Sequence, residues 1–149
     1  MEGGRVSVAA GSPYHYFRCV ADIADVEHVI ARLPDVTEGT RFGNRTWFVA
    51  GKAFAWERPF SKADIERFGA TGAPEGPILA LRTADVAEKE AILATEKRGF
   101  FDIEHFRAYP AVLVQLETIG KRKLRDAVID AWLAMAPTAA AEAYLEGTD

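Results

Sequence analysis

The segment TWFVAGKAFAW, residues 46–56, constrains the fold of this chain more than any other feature. Two short runs of apolar and aromatic residues flank a Gly-Lys pair, a pattern typical of a β-hairpin with a two-residue turn. A turn at Gly51 and Lys52 predicts that Trp47 and Trp56 share one face of the hairpin. The same register predicts these cross-strand pairs: Ala50 with Ala53, Val49 with Phe54, and Trp47 with Trp56. That face is rich in large apolar side chains and requires cover.

The rest of the chain alternates between helical and strand periodicity. Apolar spacing and capping residues predict helices over 22–33, 61–69 and 85–99, a long helix from just after Gly120 to Pro137, and a short one over 138–146. Short apolar runs predict further strands over 77–82, 100–106 and 111–117. This order is typical of the α+β class, with an antiparallel β-sheet of about five to six strands and helices mainly on one face.

Length and composition indicate one domain. The chain has 149 residues, of which 49% are hydrophobic and 27% are charged, as in soluble globular proteins. Residues 1–20 show no clean period and are expected to form a partly mobile extension, followed by a single domain over residues 21–149. A single cysteine, Cys19, excludes an internal disulfide, and no apolar run reaches the roughly 18 residues of a membrane span. These features predict a cytoplasmic protein with no membrane partner.

Three stretches of the chain resemble the MmcQ/YjbR family in sequence, order and spacing. They read LPDVTEGTRFGNRTWFVAGKAFAW, FFDIEHFRAYPAVLVQL and LRDAVIDAWLAMAP, and the resemblance covers roughly residues 26–137. Members of this family are often catalogued as DNA-binding proteins. The resemblance implies a compact fold similar to that of bacterial frataxin (CyaY), a sheet backed by helices, with DNA contacted through two wings. It carries over no catalytic residues.

The chain departs from the family pattern at one turn. Where relatives tend to have an acidic residue and a glycine before a tyrosine, this chain has Arg107 and Ala108 before Tyr109. The chemistry of this turn is therefore expected to differ. Arg107, next to His105 and Tyr109, is a candidate anion contact. His105 alternates with Ile103 and is itself expected to point toward the apolar side as a structural histidine.

The start of the long helix carries an unusual charge pattern. Lys121, Arg122 and Lys123 fall in its first turn, and Arg125 follows. The helix dipole already presents about half a positive charge there, so each added cation costs roughly 0.3–1 kcal/mol. The functional interpretation is an anion site for a nucleic-acid phosphate or a phosphorylated ligand, formed by backbone amides and side-chain charge. The alternative is a solvated surface whose charges are screened by water and salt.

Trp47 and Trp56 also have two interpretations. Exposed rings would stack on nucleic-acid bases, at about 1–3 kcal/mol per base, or would face a protein partner. Buried rings would cover the core of the sheet or a homodimer contact. No motif joins a nucleophile to a base, and the histidines and the cysteine lack metal-ligand spacing. The sequence therefore predicts no metal, no cofactor and no enzymatic activity.

The leading functional prediction is a non-enzymatic cytoplasmic module that binds DNA. The net charge of -4 and the pI near 5.4 argue against DNA binding by the molecule as a whole, although local clusters of charge decide such binding. The alternative is a module that binds a protein partner, a second copy of itself in a homodimer, or a small ligand. That module would use the aromatic face around Trp47 and Trp56.

Overall fold

A computed structural model describes residues 21–96 and 98–147. Within these residues one antiparallel sheet of six strands has the order β1-β2-β3-β4-β6-β5. The strands are β1 (Val36–Arg41), β2 (Asn44–Val49), β3 (Lys52–Glu57), β4 (Ile78–Arg82), β5 (Phe100–Phe101) and β6 (Ala111–Gln115). The α-helices are α1 (Ile23–Ile30), α2 (Lys62–Phe68), α3 (Val86–Thr95), α4 (Lys121–Met135) and α5 (Thr138–Gly147). The predicted α+β class is confirmed, while the predictions for residues 1–20, including Cys19, lie outside the described residues.

Side-chain caps start three helices where the sequence predicts them. The Asp22 side chain caps α1, and Ser61 caps α2. In both helices an aspartate three residues further on bonds back to the cap N–H, which completes a capping box. Asp85 caps α3, which ends at Thr95 and not at the predicted Gly99. None of the helices within the described ranges combines the length and the apolarity that a bilayer crossing requires.

The two faces of the sheet are covered by different parts of the chain. One face forms the main core with α1, α3, α4 and α5, and its fully buried members include Phe54, Leu79, Leu124 and Trp132. The opposite face forms a second core from these buried residues: Ala53, Trp56, Ile78, Ala80, Phe106, Ala111 and Leu113. Side chains from the connecting segments, such as Phe60 and Ile103, pack against this second core. The helices therefore lie mainly on one face, as predicted.

The β2–β3 hairpin differs from its predicted register. Ala50 and Gly51 form the turn, with φ of 52° and 78°, instead of the pair one residue later. Two consecutive positive φ values are typical of a type I′ turn, in which glycine is well suited to the second position. A bulge then leaves Phe54 without a cross-strand partner, because its neighbours Ala53 and Ala55 pair with consecutive residues of β2.

This bulge places the two tryptophans on opposite faces of the sheet, because it reverses the side-chain alternation along β3. Trp47 lies in the main core and is 2% exposed, whereas Trp56 lies in the second core and is 8% exposed. The predicted aromatic face shared by both rings is therefore wrong, although the rings do lie on paired strands. A one-residue change of register exchanges the faces of a strand, and apolar residues on both faces hide that change in the sequence.

The two edge strands also differ from the prediction. β1 is not predicted, since its side chains are mostly polar and exposed and it pairs only with β2. β5 is shorter than predicted, because residues 104–106 form one turn of 3-10 helix instead. The buried side chain of Lys89 favours this turn, since its Nζ bonds the carbonyls of Phe106 and Tyr109 and turns them toward α3.

Candidate nucleic-acid interface on the second face of the sheet

A cavity of about 430 Å³ opens beside the second core, at the turn between β1 and β2. Its volume lies within the range of roughly 300–1,000 Å³ that small-molecule sites occupy. The lining combines basic and aromatic side chains and contains no carboxylate: Arg41, Phe42, Asn44, Trp56, Arg58, His105, Phe106 and Tyr109. We call this set of residues the hairpin pocket.

Phe42 lies at the tip of the β1–β2 hairpin in a backbone conformation that disfavours its residue type. Arg41 pairs with Asn44, so Phe42 and Gly43 form the turn, with φ of 52° and 79°. The left-handed region costs most L-residues about 1–2 kcal/mol. The side chain of Phe42 is 92% exposed, so burial does not offset this cost. Strained residues of this kind concentrate at functional sites, which makes Phe42 a candidate ligand contact.

Arg41 connects the exposed tip to the floor of the hairpin pocket. Its guanidinium carbon lies 5.7 Å from the centre of the Phe42 ring and 5.5 Å from the centre of the Trp56 ring. Both distances fall within the approximately 6 Å of a cation–π contact. In the part of the chain that the structure describes, no carboxylate forms an ion pair with Arg41. Among these residues, no carboxylate offsets its charge.

Arg58 supplies the second guanidinium group. Its carbon lies 5.5 Å from the centre of the Phe106 ring, and one nitrogen donates to Asp64 at 3.0 Å. Burial alone would raise the pKa of the Asp64 carboxyl, but the backbone N–H of Ser61 and the Arg58 guanidinium outweigh it and hold that pKa below its usual value. Asp64 thus stays ionised and fixes Arg58. A guanidinium has five N–H donors, so others are left for a ligand.

Phe106 and Tyr109 form an aromatic wall with Trp56. The ring centres of Trp56 and Tyr109 are 6.4 Å apart, and those of Phe106 and Tyr109 are 5.6 Å apart, both edge to face. The Arg82 guanidinium carbon lies 5.4 Å from the centre of the Tyr109 ring, and its Nε donates to the Pro110 carbonyl at 3.0 Å. Tyr109 keeps 37% of its surface exposed, so it can contact a ligand in the pocket.

A buried lysine on α3 holds the loop that carries this wall. Lys89 is 1% exposed, and its Nζ donates to the carbonyl of Phe106, to that of Tyr109 at 2.9 Å and, more weakly, to that of Arg107 at 3.4 Å. Asp102 Oδ1 lies 3.1 Å from the same Nζ, although it accepts no hydrogen bond from the described residues. A buried ammonium group without partners is strongly unfavourable, so lysine and loop stabilise each other.

The basic residues predicted at the start of α4 lie among carboxylates. Three of the four form ion pairs: Lys121 with Asp25 at 3.7 Å, Lys123 with Glu96 at 2.7 Å, and Arg125 with Asp126 at 3.4 Å. Arg122 is exposed and has no ion-pair partner among residues 21–96 and 98–147. Exposed pairs contribute only about 0–1 kcal/mol to stability, but they offset the charge that an anion would meet.

The second predicted anion contact, Arg107, lies in the chain between two residues of the hairpin pocket but does not itself line it. His105 and Tyr109 line the pocket, and Arg107 is exposed between them in the chain. The prediction that His105 points to the apolar side is wrong, since β5 ends at Phe101 and the following 3-10 turn leaves His105 exposed. The buried position is taken by Phe106 instead.

Sequence reasoning missed five residues of this site: Arg41, Phe42, Asn44, Arg58 and Phe106. The segment RFGNR contains a signal for Arg41 and Phe42. Phe42 is followed by Gly43 between two extended segments, and a glycine in the second position is typical of a type I′ turn. A phenylalanine in the first position of such a turn is unusual and would have drawn attention to the tip. Arg58 follows β3, and only its contact with Phe106, far along the chain, brings it to the site.

A second cavity, of about 220 Å³, lies between α3 and α4 and has an acidic lining. Glu88, Asp126 and Asp130 line it together with Arg82 and Lys123. Burial, with Glu88 and Asp126 nearby, raises the pKa of Asp130. Across the described ranges, no group of three or more His, Cys, Asp or Glu side chains is arranged to hold a metal ion.

Comparison with known proteins agrees with the fold and with the resemblance seen in the sequence. The YjbR family model matches residues 31–134. Uncharacterized proteins of Mycobacterium bovis and Mycobacterium tuberculosis are 37% identical over 123 residues, which is 81% of this chain and 93% of each relative. The crystal structure of the Deinococcus radiodurans protein DR2400, with a DUF419 domain, is similar in fold, with a TM-score of 0.50 and 18% identity over 77% of this chain and 78% of that one. The chain belongs to the YjbR family.

Proposed function

We propose that this protein is a DNA-binding module and that the hairpin pocket is its contact surface. One observation carries the proposal. Arg41, without a carboxylate partner in the described part of the chain, lies within cation–π distance of both the exposed Phe42 and Trp56. Nucleic acids offer phosphates, which bind arginine, and bases, which stack on aromatic rings. The hairpin pocket provides both kinds of group and no carboxylate.

Local charge favours the hairpin pocket over the start of α4. The net charge of the chain is -4, so DNA binding requires a surface where cations are not offset. At α4 three of the four cations are paired with carboxylates. At the pocket Arg41 has no ion pair within the described residues, whereas Arg58 pairs with Asp64 at 3.0 Å. This difference supports contact at the pocket.

The proposal is tested by fluorescence anisotropy with labelled single-stranded and duplex DNA over a range of salt concentrations. Arg41→Gln is expected to weaken DNA binding and to lower the slope of log affinity against log salt by about 0.7–0.9, because one phosphate contact is lost. Arg125→Gln is the matched control, since it removes the same charge from a side chain on α4, outside the pocket.

Each outcome of this comparison decides between the candidate surfaces. Weaker binding by Arg41→Gln with an unchanged Arg125→Gln supports the pocket. The opposite result would move the contact to the start of α4. If the parent protein binds neither the single-stranded nor the duplex DNA at low salt, the proposal of DNA binding is overturned.

A small anionic ligand with an aromatic ring is the second candidate, and the cavity volume of about 430 Å³ favours it. Of the two tryptophans in the predicted aromatic face, only Trp56 could contact such a ligand in the pocket, because Trp47 lies in the main core on the other side of the sheet. Calorimetric titration with a nucleoside monophosphate tests it. Tight binding of the mononucleotide together with no binding of DNA would replace the first proposal by the second.

A further inference from the structure

We infer that the hairpin pocket receives an unpaired DNA base, so that the protein binds single-stranded or locally opened DNA in preference to intact duplex. This inference rests on the proposed function and specifies the form of DNA that the site takes. The inference is based on the types of side chain that line the pocket. The lining offers the rings of Phe42, Trp56, His105, Phe106 and Tyr109 for stacking, whereas Arg41, Arg58 and Asn44 are its side chains of the kinds that most often read base edges.

Stacking on a protein ring requires a base whose own face is free. In duplex DNA the base faces are covered by their neighbours, and only the edges are accessible in the grooves. Single strands expose base faces, and modules that bind them place aromatic rings beside cationic side chains. The Phe42 ring, at 92% exposure, the partly exposed Tyr109, at 37%, and the exposed imidazole of His105 are accessible in the pocket. Trp56, at 8%, lies deeper and forms its floor.

The positions of the cations fit the phosphate that accompanies a stacked base. The guanidinium carbon of Arg41 lies over the Phe42 ring, 5.7 Å from its centre, so Arg41 takes one face of the ring and leaves the other face for a base. A base on Phe42 would therefore carry its phosphate close to Arg41. Arg58, fixed by Asp64 at 3.0 Å, belongs to the same lining and adds a second guanidinium group.

The conformation of Phe42 supports a role for its ring that folding does not require. Ala50 occupies the equivalent position of the other type I′ turn, with the same φ of 52°, and its small side chain makes no aromatic contact. At Phe42 a large ring is held at 92% exposure in the same disfavoured conformation. Within the described residues, the Phe42 ring contacts the guanidinium of Arg41, itself part of the pocket.

The experiment compares three fluorescein-labelled DNAs of about 12 nucleotides, a length within the site sizes of single-strand binding modules. They are a single strand, the same strand paired with its complement, and a strand of equal length made of abasic sites. The full-length protein is expected to bind the single strand at least about tenfold more tightly than either other DNA, because only that strand offers free bases next to phosphates.

Variants at position 42 then assign the preference to the ring. Phe42→Ala is expected to weaken single-strand binding roughly 5- to 150-fold, the range for loss of one stacked base, and to leave duplex and abasic binding unchanged. Phe42→Trp keeps a stacking ring and is expected to retain the preference. Circular dichroism confirms that each variant is folded, which the exposed position of Phe42 favours.

Failure of this inference differs from failure of the proposed function. Equal affinity for the single strand and the duplex would overturn the inference while DNA binding stands. Equal affinity for the abasic and the natural strand would show that phosphates alone are bound, and would also overturn it. Binding of none of the three DNAs would overturn both proposals.

Discussion

Phe42 and Ala50 occupy the same position in two type I′ turns of one sheet, each with φ of 52°. Ala50 meets the same backbone cost as Phe42, because that cost comes from the Cβ atom that both residues have, and a glycine follows each of them in its turn. The phenyl ring of Phe42 adds neither burial nor a turn-stabilising hydrogen bond. At the residue scale, the side chain at position 42 that favours the proposed binding is therefore not the one that favours stability.

We expect Phe42→Asn to raise the free energy of unfolding by about 1 kcal/mol, because Asn-Gly is the preferred pair in this turn and Asn tolerates positive φ. The same variant is expected to weaken DNA binding. Ala50→Asn is the control, with a comparable or smaller gain in stability and no change in affinity. Urea unfolding measures both stabilities, and a Phe42→Asn variant that is less stable than the parent would contradict the strain argument.

The two tryptophans give a second residue-scale prediction. Trp47→Ala and Trp56→Ala are each expected to lower the free energy of unfolding by about 3–5 kcal/mol, because each removes a large ring from a packed core. Thermal melting measures this loss. A melting temperature that stays constant in either variant would show that its ring is not packed in a core.

At the scale of elements, α3 and the loop before β6 are joined through one ammonium group. Lys89→Met keeps an unbranched apolar stem but removes the donor from the loop carbonyls and the charge that faces Asp102. We expect a loss of about 3–5 kcal/mol, since a buried pair broken on one side leaves its partner uncompensated. Glu90→Gln, at an exposed position on the same helix, is expected to change stability by less than about 0.5 kcal/mol.

Chemical denaturation measures both α3 variants. The affinity of the folded Lys89→Met variant for single-stranded DNA is also expected to fall, because the loop carries Phe106 and Tyr109. Equal stability of Lys89→Met and the parent would show that Lys89 does not stabilise the loop before β6.

The link between α2 and Arg58 predicts a dependence on pH. The folded-state pKa of Asp64 lies below its usual value, so the carboxylate contributes stability above about pH 4 that is lost as the pH falls through the folded pKa. Asp64→Asn is expected to be less stable than the parent at neutral pH and to lose less stability on acidification. Unfolding midpoints between neutral and acidic pH check this. Parallel curves for parent and variant would show that Asp64 does not link folding to proton binding.

At the scale of the whole molecule, an acidic chain carries local groups of basic side chains, which among the described residues include the hairpin pocket and the start of α4. If Arg41, Arg58 and Arg107 supply the phosphate contacts, the slope of log affinity against log salt for single-stranded DNA is about -2. A binding titration over a salt series measures it. A much steeper slope would require further cations, and those at the start of α4 are the next candidates.

The local chemistry of the sequence determined the elements that depend on near neighbours. Asp22, Ser61 and Asp85 start helices because each cap bonds backbone groups a few residues away. The strands β4 and β6 follow from short runs of apolar residues, and the family resemblance follows from motifs in order. These features need no knowledge of what packs against them.

Only the tertiary structure decided which face each tryptophan takes and which residues meet in the hairpin pocket. The register of β2 on β3 depends on a bulge at Phe54, and apolar residues on both faces made either register equally compatible with the sequence. The pocket joins a turn, the end of β3 and the loop before β6, which are far apart in the chain. Their meeting depends on the packing of the whole sheet and on the buried Lys89. Local sequence patterns specify contacts between near neighbours, and they do not specify the contacts that pairing of distant segments creates.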